Sequence, residues 1–360
     1  MTHPFRAALG MILVVMAAAV VFQGVACHGT VRLGTVCLGY YTGDERSFEA
    51  VQASAEYLTI VSADVYAVEF DGTIGGEDDF GVVAFCKAHG IKVYACVSNY
   101  NDDPDVDGFD AELARAAIVT HRNAVIARLV ALAASGSYDG VNIDFENLAF
   151  SRDIDDDRAA FTNFIHELAA QLHAVGLKLA ISVPGKTEDS IDDDWSYPFD
   201  FKALGEDADL LQLMTYDQHG PWSDPGPISG ADWVKDCVAY AVSLVDPAKL
   251  LIGLPAYGYD WDLTDSDPES WIYSATSFSW TNVPDLLAKP GSIERWDNAS
   301  ESPHMTYIER GHWHEAWFEN AASLRAKMAL VTEYGLAGLS MWSLGQEDDG
   351  FWSAVALLLQ

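Results

Sequence analysis

The sequence predicts an α/β protein, a single (β/α)8 TIM barrel with a small α+β insertion between its seventh and eighth strands. Short, continuously apolar segments alternate with amphipathic helical segments, which is typical of parallel strands covered on both faces. Eight such strands can be found, the number that closes a barrel of this kind. No Pro-rich or Ser-rich linker interrupts the series, so the 360 residues are expected to form one domain after the N-terminal segment.

The strands are predicted from apolar runs bounded by polar or turn-forming residues. Amphipathic stretches at 111–134, 158–175 and 321–334 predict helices between them. In chain order the predicted strands are TVCLGYY (35–41), DVYAVEF (64–70), KVYACVS (92–98), GVNIDFE (140–146), KLAISVP (178–184), LLQLMTY (210–216), LLIGLP (250–255) and GLSMWSL (338–344).

The connection from about 259 to 317 is too long for a simple link between the seventh and eighth strands. It is rich in aromatic residues, among them Trp261, Trp280 and Trp317. One interpretation is that these rings form the core of a small α+β excursion. The other is that several of them line one wall of a binding groove, and the sequence leaves both open.

The net charge of −34 argues against nucleic acid as a partner, because there is no basic surface to replace counterions. It also disfavours adhesion to anionic surfaces. The cysteines show no CxxC spacing and the histidines no metal-ligand spacing. We therefore predict no metal site and no cofactor.

Residues 1–26 have the layout of a secretory signal, with His3 and Arg6 ahead of an apolar run and small residues before Cys27. A second interpretation is a lipoprotein beginning at Cys27, although Gly24 stands where an aliphatic residue is usual. A third is an uncleaved membrane anchor, since the apolar run nearly reaches the length of a span. All three place the predicted barrel, 32–360, outside the cytoplasm.

The segment DGVNIDFEN, 139–147, carries polar side chains on alternate positions of a strand that is otherwise Val, Ile and Phe. Side chains alternate across a strand, so Asn142, Asp144 and Glu146 share the face that points to the barrel axis. Burying carboxylates is costly, and barrel interiors normally hold branched aliphatic residues. The column therefore indicates an active site, with Asp144 holding the proton on Glu146 as a general acid requires.

The stretch DGVNIDFE resembles the DxxDxDxE signature of glycoside hydrolase family 18, the chitinase-type hydrolases, with Asn142 in place of the middle aspartate. The resemblance runs from GYY at Gly39 to MWSLGQED ending at Asp348. The sequence is most similar to the bacterial spore-germination branch of this family, the peptidoglycan N-acetylglucosaminidases, in which GVNIDFEN is the usual form. The islands that carry it are RDIDDDRAAFTNFIHEL, QLMTYDQHGPWSDPGPISG, LLIGLPAYGYDW and WHEAWFENAASLRAK.

The resemblance implies retaining catalysis in which the substrate's own 2-acetamido oxygen is the nucleophile. It implies that Glu146 protonates the leaving oxygen and then activates water. It implies that Asp144 orients the acetamido group and stabilises the positive intermediate, and that Tyr216 donates a hydrogen bond to the acetamido carbonyl.

Substrate binding is implied for residues around the same pocket. Trp342 would form the floor beneath the sugar, with a cis peptide to Ser343, and Asp217 would bind sugar hydroxyls or the acetamide. The remaining pocket residues are Tyr40, Met214 and Asn142. Because an amide cannot share a proton as a second carboxyl would, we expect Asp144 to ionise readily and the pH–rate profile to have a simple acid limb.

The function predicted from these residues is a secreted glycosidase cleaving β-1,4 bonds at N-acetylglucosamine, with peptidoglycan as the substrate. A chitinase acting on chitin or chito-oligosaccharides is the alternative, and a non-catalytic sugar-binding barrel is a third. The predicted partner is a polysaccharide containing N-acetylglucosamine. We expect a monomer, with an N-terminal membrane tether as one of the open arrangements.

Overall fold

The computed structural model describes residues 34–106, 108–266 and 273–359. The predicted signal or anchor at 1–26 and the lipidation site at Cys27 lie outside the described residues, as do residues 32 and 33.

The strands are β1 (Val36–Tyr41), β2 (Ile60–Val68), β3 (Ile74–Gly76), β4 (Lys92–Ser98), β5 (Tyr100–Asn101), β6 (Gly108–Phe109), β7 (Gly140–Asp144), β8 (Lys178–Pro184), β9 (Leu210–Met214), β10 (Leu250–Pro255), β11 (Tyr257–Ser266), β12 (Tyr273–Ser279), β13 (Ile293–Asp297), β14 (Ser302–Glu309), β15 (His312–Trp317) and β16 (Gly338–Trp342).

The helices are α1 (Glu45–Ala53), α2 (Val82–His89), α3 (Ala111–Arg115), α4 (Arg122–Ser135), α5 (Ile154–Ala174), α6 (Phe201–Asp207), α7 (Ala231–Val242), α8 (Val283–Leu287), α9 (Ala321–Tyr334) and α10 (Asp349–Leu358). A π-helical turn, Ala116–Thr120, joins α3 to α4, and 3₁₀ turns lie at Pro247–Lys249 and Trp280–Asn282.

The main sheet closes into the predicted barrel. It has nine strands in the order β1-β16-β10-β9-β8-β7-β4-β2-β3, with an additional β1–β2 pairing. β3 is the antiparallel strand at the edge of β2, and the remaining eight strands are parallel and form a closed ring. The fold prediction is confirmed.

The two faces of each barrel strand bury different material. On β7, Val141 and Ile143 are fully buried in the layer between strands and helices, and the Phe145 ring stacks at 5.9 Å on Phe164 of α5. The other face turns inward, where Leu38, Ile60 and similar side chains fill the lower barrel. The alternation predicted for DGVNIDFEN is therefore what the structure shows, with the polar column inside.

The second strand begins earlier than the sequence predicts. It was expected at 64–70, and the structure places β2 at Ile60–Val68. Ser62 and Asp64 interrupt the apolar run, which disguises its first half as a loop. Because β2 begins at Ile60, Asp64 lies in the middle of a barrel strand, with its side chain turned inward beside Cys96.

The insertion lies between β10 and α9 and forms a five-stranded antiparallel sheet in the order β12-β11-β15-β14-β13, together with α8. Trp261 and Tyr307 are fully buried in it, and Trp280 and Trp317 are nearly so. These rings form cores, as the first of the two interpretations expects.

In the described part of the chain no single helix is long and apolar enough to cross a membrane. One pair of helical segments, Ala111–Thr120 and Arg122–Ser135, passes that test by combined length and composition, with a bend of 95° between them.

Candidate active site

The polar column of β7 ends at Glu146, which lies two residues beyond the strand and is held by Asn99. The fully buried Asn99 side chain accepts a hydrogen bond from the Glu146 backbone N–H at 2.9 Å and donates one to the Glu146 carbonyl at 2.8 Å. The same amide donates to the carbonyl of Asp110 at 3.0 Å. Asn99 therefore continues the sheet pairing by one step and fixes the backbone of the predicted acid.

Asn142 lies one step below Asp144 and binds several strands together. Its Nδ2 donates to the Tyr40 hydroxyl at 2.9 Å and to Ser62 Oγ at 3.1 Å. The Tyr40 hydroxyl in turn lies 2.9 Å from Ser182 Oγ. Asn142 Oδ1 is buried and has no hydrogen-bond partner among the described residues. In this structure Asn142 acts on the pocket by holding Tyr40 in place.

The carboxyl groups of the column have strongly perturbed acidities. Burial raises the pKa of Asp144 to about 6, and the Ser182 hydroxyl opposes this rise. Burial, followed by the nearby charges of Asp144, Asp217 and Asp64, holds the pKa of Glu146 well above its usual range. Near neutral pH the pair therefore consists of an ionised Asp144 and a protonated Glu146, as acid catalysis requires.

Tyr216 lies just beyond β9, across the pocket from the column. Burial and the charges of Asp144 and Glu146 raise its pKa well above the usual value, so its hydroxyl stays a donor. Gly253 of β10 permits this position, because a Cβ there would lie 2.8 Å from the Tyr216 ring and 2.4 Å from the Leu213 carbonyl oxygen. A larger residue at 253 would displace Tyr216.

Asp217 follows directly and is anchored by the insertion. It adopts the left-handed backbone region at φ 58°, which a short polar side chain tolerates better than most. Its Oδ1 accepts hydrogen bonds from the Tyr257 hydroxyl at 2.5 Å and the Tyr259 hydroxyl at 3.2 Å. Burial raises the pKa of Asp217, and the two tyrosines oppose that rise.

Trp342 ends β16 and lies beside Tyr40, with ring centroids 5.3 Å apart. Its peptide bond to Ser343 is cis, as the resemblance implies. One cavity of about 680 Å³ lies at the carboxyl ends of the strands, and the predicted residues that line it are Tyr40, Asp144, Glu146, Met214, Tyr216, Asp217 and Trp342. Asn142 lies below it, in the barrel interior.

Other residues that line the cavity were not anticipated. Trp195, Trp222 and Trp233 come from the segments after β8 and β9, and Phe109 comes from β6. Trp195 is 45% and Trp222 56% exposed, so both rings are accessible from solvent as well as lining the cavity. These segments supply the aromatic wall, and none of the insertion tryptophans that the structure describes lines the cavity. Trp195 and Trp222 lie in turns, where no periodic pattern marks a residue, and Trp233 lies in the first turn of α7.

Asp64 is a further acidic residue that the sequence analysis missed. An oxygen of Asp64, the sulfur of Cys96 and an oxygen of Asp144 all lie within 4.8 Å of one another. The expected simple ionisation of Asp144 assumed that it had no carboxyl neighbour, and the structure corrects that premise. Ser62 and Asp64, polar residues two positions apart in an otherwise apolar run, were the signal that could have revealed it.

The arrangement can hydrolyse an acetal through a protonated acid, a buried carboxylate and a hydroxyl donor that face one concave pocket. No nucleophilic Ser or Cys is found among the described residues that line it. Among the described residues, Asp64, Cys96 and Asp144 are the group whose ligand atoms lie close enough to hold a metal ion. Burial raises the pKa of the Cys96 thiol well above the usual value.

Comparison with known proteins agrees with this geometry. Residues 36–347 match the model of glycosyl hydrolases family 18. The chain is 33% identical over 330 residues to an uncharacterised glycosylase of Bacillus subtilis, YvbX, covering 91% of this chain and 92% of that protein. It is 27% identical to the cortical fragment-lytic enzyme of Bacillus anthracis, covering 84% and 68%.

Among solved structures, a chitinase from Chromobacterium violaceum superposes with a TM-score of 0.82 at 36% identity, covering 90% of this chain and 99% of that one.

Proposed function

This chain belongs to glycosyl hydrolases family 18 and is a glycosidase, and from that premise we propose that it cleaves β-1,4 bonds at N-acetylglucosamine by retaining, substrate-assisted catalysis. The observation that carries the proposal is the inward column of β7, which ends with Glu146 in the same cavity as Tyr216 and Trp342. When the substrate supplies its own nucleophile, the protein has to contribute a single acid, and the site offers that acid.

Glu146 is the proton donor. Its raised pKa keeps the carboxyl protonated at neutral pH, so it can transfer the proton to the leaving glycosidic oxygen. The sugar that keeps the anomeric carbon carries the nucleophile. Its 2-acetamido oxygen bonds to that carbon as the glycosidic bond breaks. Glu146, now a carboxylate, takes a proton from water as the water opens the cyclic intermediate, which restores the starting state.

Asp144 and Tyr216 hold the acetamido group from two sides. Asp144, ionised above about pH 6, stabilises the positive charge that develops on the acetamido nitrogen and orients that group. The Tyr216 hydroxyl stays protonated and donates to the acetamido oxygen. Both interactions strengthen as the cyclic intermediate forms, so they lower the barrier and not only the free energy of binding.

The rest of the pocket positions the sugar. The Trp342 ring forms the floor, with Tyr40 and Met214 beside it. Asp217, held by the hydroxyls of two tyrosines, accepts hydrogen bonds from sugar hydroxyls. Asn142 contributes indirectly by holding the Tyr40 hydroxyl.

Peptidoglycan is the proposed substrate. The support is the resemblance to the spore-germination branch together with the match to a cortical fragment-lytic enzyme over 84% of this chain. Chitin is the second candidate. It is favoured by the 36% sequence identity between this chain and a chitinase, in an alignment that covers 99% of the chitinase chain. Mass spectrometry of the products from purified glycan strands and from chitohexaose separates the two. Turnover of chitohexaose alone would assign the enzyme to chitin.

The mechanism is tested by Glu146→Gln, which keeps the shape of the side chain and removes its acidity. We expect hydrolysis to fall at least ~1000-fold, because acid and base steps are both lost, while oligosaccharide binding remains measurable by calorimetry. Asp102→Asn, a change on an exposed loop, is the charge-matched control and should behave as wild type. Full activity of the Glu146 variant would refute the mechanism, and a wild type that binds without any turnover would favour a sugar-binding barrel.

Export and assembly complete the proposal. The signal-like layout of residues 1–26 supports an extracytoplasmic enzyme, secreted or tethered through its N-terminus. Mass spectrometry of the N-terminus of protein from the native host distinguishes cleavage after Ala26, a lipidated Cys27 and an intact anchor. We propose a monomer, and light scattering at a mass other than that of one chain would contradict it.

A further inference from the structure

Asp64 lies inside the barrel beside the catalytic column, and the mechanism above gives it no task. We propose that Asp64 is a positioning residue for this reaction, a second carboxyl group from β2 that shares a proton with Asp144 and sets the charge around Glu146. The inference rests on the proposed function, which supplies the roles of Asp144 and Glu146.

The strand register brings Asp64 to this place. Asp64 pairs with Cys96 of β4, and Cys96 pairs with Asn142 of β7, so the three residues lie at one level of the barrel. Asp144 lies one step higher on β7, opposite Ser98. Neighbouring strands in a sheet are about 4.8 Å apart, and the functional atoms of Asp64, Cys96 and Asp144 converge to within 4.8 Å.

A bulge in β2 accompanies this orientation. The pairing of β2 with β4 shifts by one residue between Asp64 and Tyr66. Tyr66 then returns to the outer layer, where its hydroxyl lies 2.9 Å from that of Tyr138. Bulges re-aim side chains beside active sites, and this one allows Asp64 to face inward while Tyr66 packs outward.

Two buried carboxyl groups at this separation cannot both ionise freely. Burial and the Asp144 charge raise the pKa of Asp64 to about 7, and the Cys96 thiol opposes the rise by hydrogen bonding. Near neutral pH the pair therefore holds one proton, and Asp64 carries it while Asp144 is the anion. The other titratable groups that face the pair are Tyr40 from β1, Cys96 from β4, Glu146 after β7 and Tyr216 after β9. Asp217 acts on Glu146.

The charge state of Asp64 affects the pKa of Glu146. The Asp64 charge is one of the influences that raise the Glu146 pKa. Above about pH 7, when Asp64 loses its proton, the added charge keeps the acid protonated further into the alkaline range. Asp64 thus widens the pH range over which Glu146 remains a proton donor.

The test uses Asp64→Asn and the exchange variant Asp64→Asn/Asn142→Asp, with Asp102→Asn as the charge-matched control. In Asp64→Asn we expect the alkaline limb of kcat/KM to move about one pH unit towards acid, because a like charge is removed. Position 142 lies on the other side of Cys96 at the same level, so the exchange variant returns a carboxyl to the cluster and should restore the limb. A structural role alone would not produce this rescue.

A second measurement does not need activity. When the pKa of a carboxyl group is higher in the native than in the unfolded protein, its contribution to stability is fully present below the unfolded-state pKa. That contribution is lost as the pH rises through the native-state pKa. The Tm of Asp64→Asn relative to wild type should therefore increase between pH 5 and pH 8, and that of Asp102→Asn should not.

Four outcomes would each overturn the proposal: a flat difference in Tm, an unmoved alkaline limb, a failed rescue, or activity that a chelator abolishes. A wild type that hydrolyses no substrate would refute the proposed function instead. The Tm series would still decide in that case whether Asp64 shares this proton.

Discussion

Asn99→Ala tests whether the acid must be held by its backbone. The substitution removes the two bonds between the Asn99 amide and the Glu146 backbone, at 2.9 and 2.8 Å, and the bond to the Asp110 carbonyl at 3.0 Å. It leaves the Glu146 N–H and C=O without these partners at a buried site. The Glu146 side chain itself is untouched, so any loss of activity reflects position.

The magnitude follows from the orphaned groups. Each buried backbone group left unpaired costs about 1–3 kcal/mol, and water entering from the cavity favours the low end, so the total is roughly 2–4 kcal/mol. In a protein of this size that corresponds to a Tm decrease of roughly 4–8 °C. A displacement of the acid by about 1 Å lowers turnover by about 100-fold, so we expect kcat to fall roughly 30–100-fold, with KM within about threefold.

Steady-state kinetics on a soluble chito-oligosaccharide and thermal unfolding of the same preparations measure both effects. Asn101→Ala is the matched control, because Asn101 donates to the Asp110 carboxylate at 2.8 Å in the same loop without touching Glu146. An unchanged kcat in Asn99→Ala would refute the reasoning. Equal losses of kcat in both variants would assign the effect to the loop instead of the acid.

Three further predictions concern buried charges. The rate should fall as pH drops through about 6, since Asp144 must be ionised and its native pKa is raised to that value, and a profile flat down to about pH 4.5 would contradict this assignment. Tyr257→Phe removes the 2.5 Å bond to Asp217 and should raise KM about tenfold with little change in kcat, as measured by steady-state kinetics. Lys327→Met leaves the fully buried Glu319 carboxylate without its partner at 2.6 Å, so the free energy of unfolding measured with denaturant should fall by about 3–5 kcal/mol. Lys327→Met/Glu319→Leu removes both charges and should recover most of that loss.

The barrel was predictable because its strands are covered on both faces and therefore appear as apolar runs. β7, β8 and β10 lie where the sequence places them, within the residues of the predicted segments. The inward polar column of β7 was predictable as well, because polar residues at every second position stand out against Val, Ile and Phe. In β2, Ser62 and Asp64 divide the apolar residues into short pieces, so the segment before Asp64 does not stand out as a strand and the start of β2 was misplaced.

The residues that support the column were not predictable from their surroundings in the chain. Asn99 lies 47 positions from Glu146, and its role depends on the pairing of β4 with β7. The cavity tryptophans Trp195 and Trp222 lie in connecting segments that follow no periodic pattern. In each case the residue reaches the site only through the folding of distant segments together, and its neighbours in the sequence give no sign of it.

The sequence by itself determined the barrel, the strand that carries the acid and the side on which that acid lies, because burial forces an alternation that a linear chain displays. Only the tertiary structure decided which groups surround the acid. Closing the ring sets the register between strands that are distant in the chain, and that register places Asp64 beside Asp144 and Asn99 beside Glu146. Those neighbours set the charge and the position of the groups proposed to be catalytic.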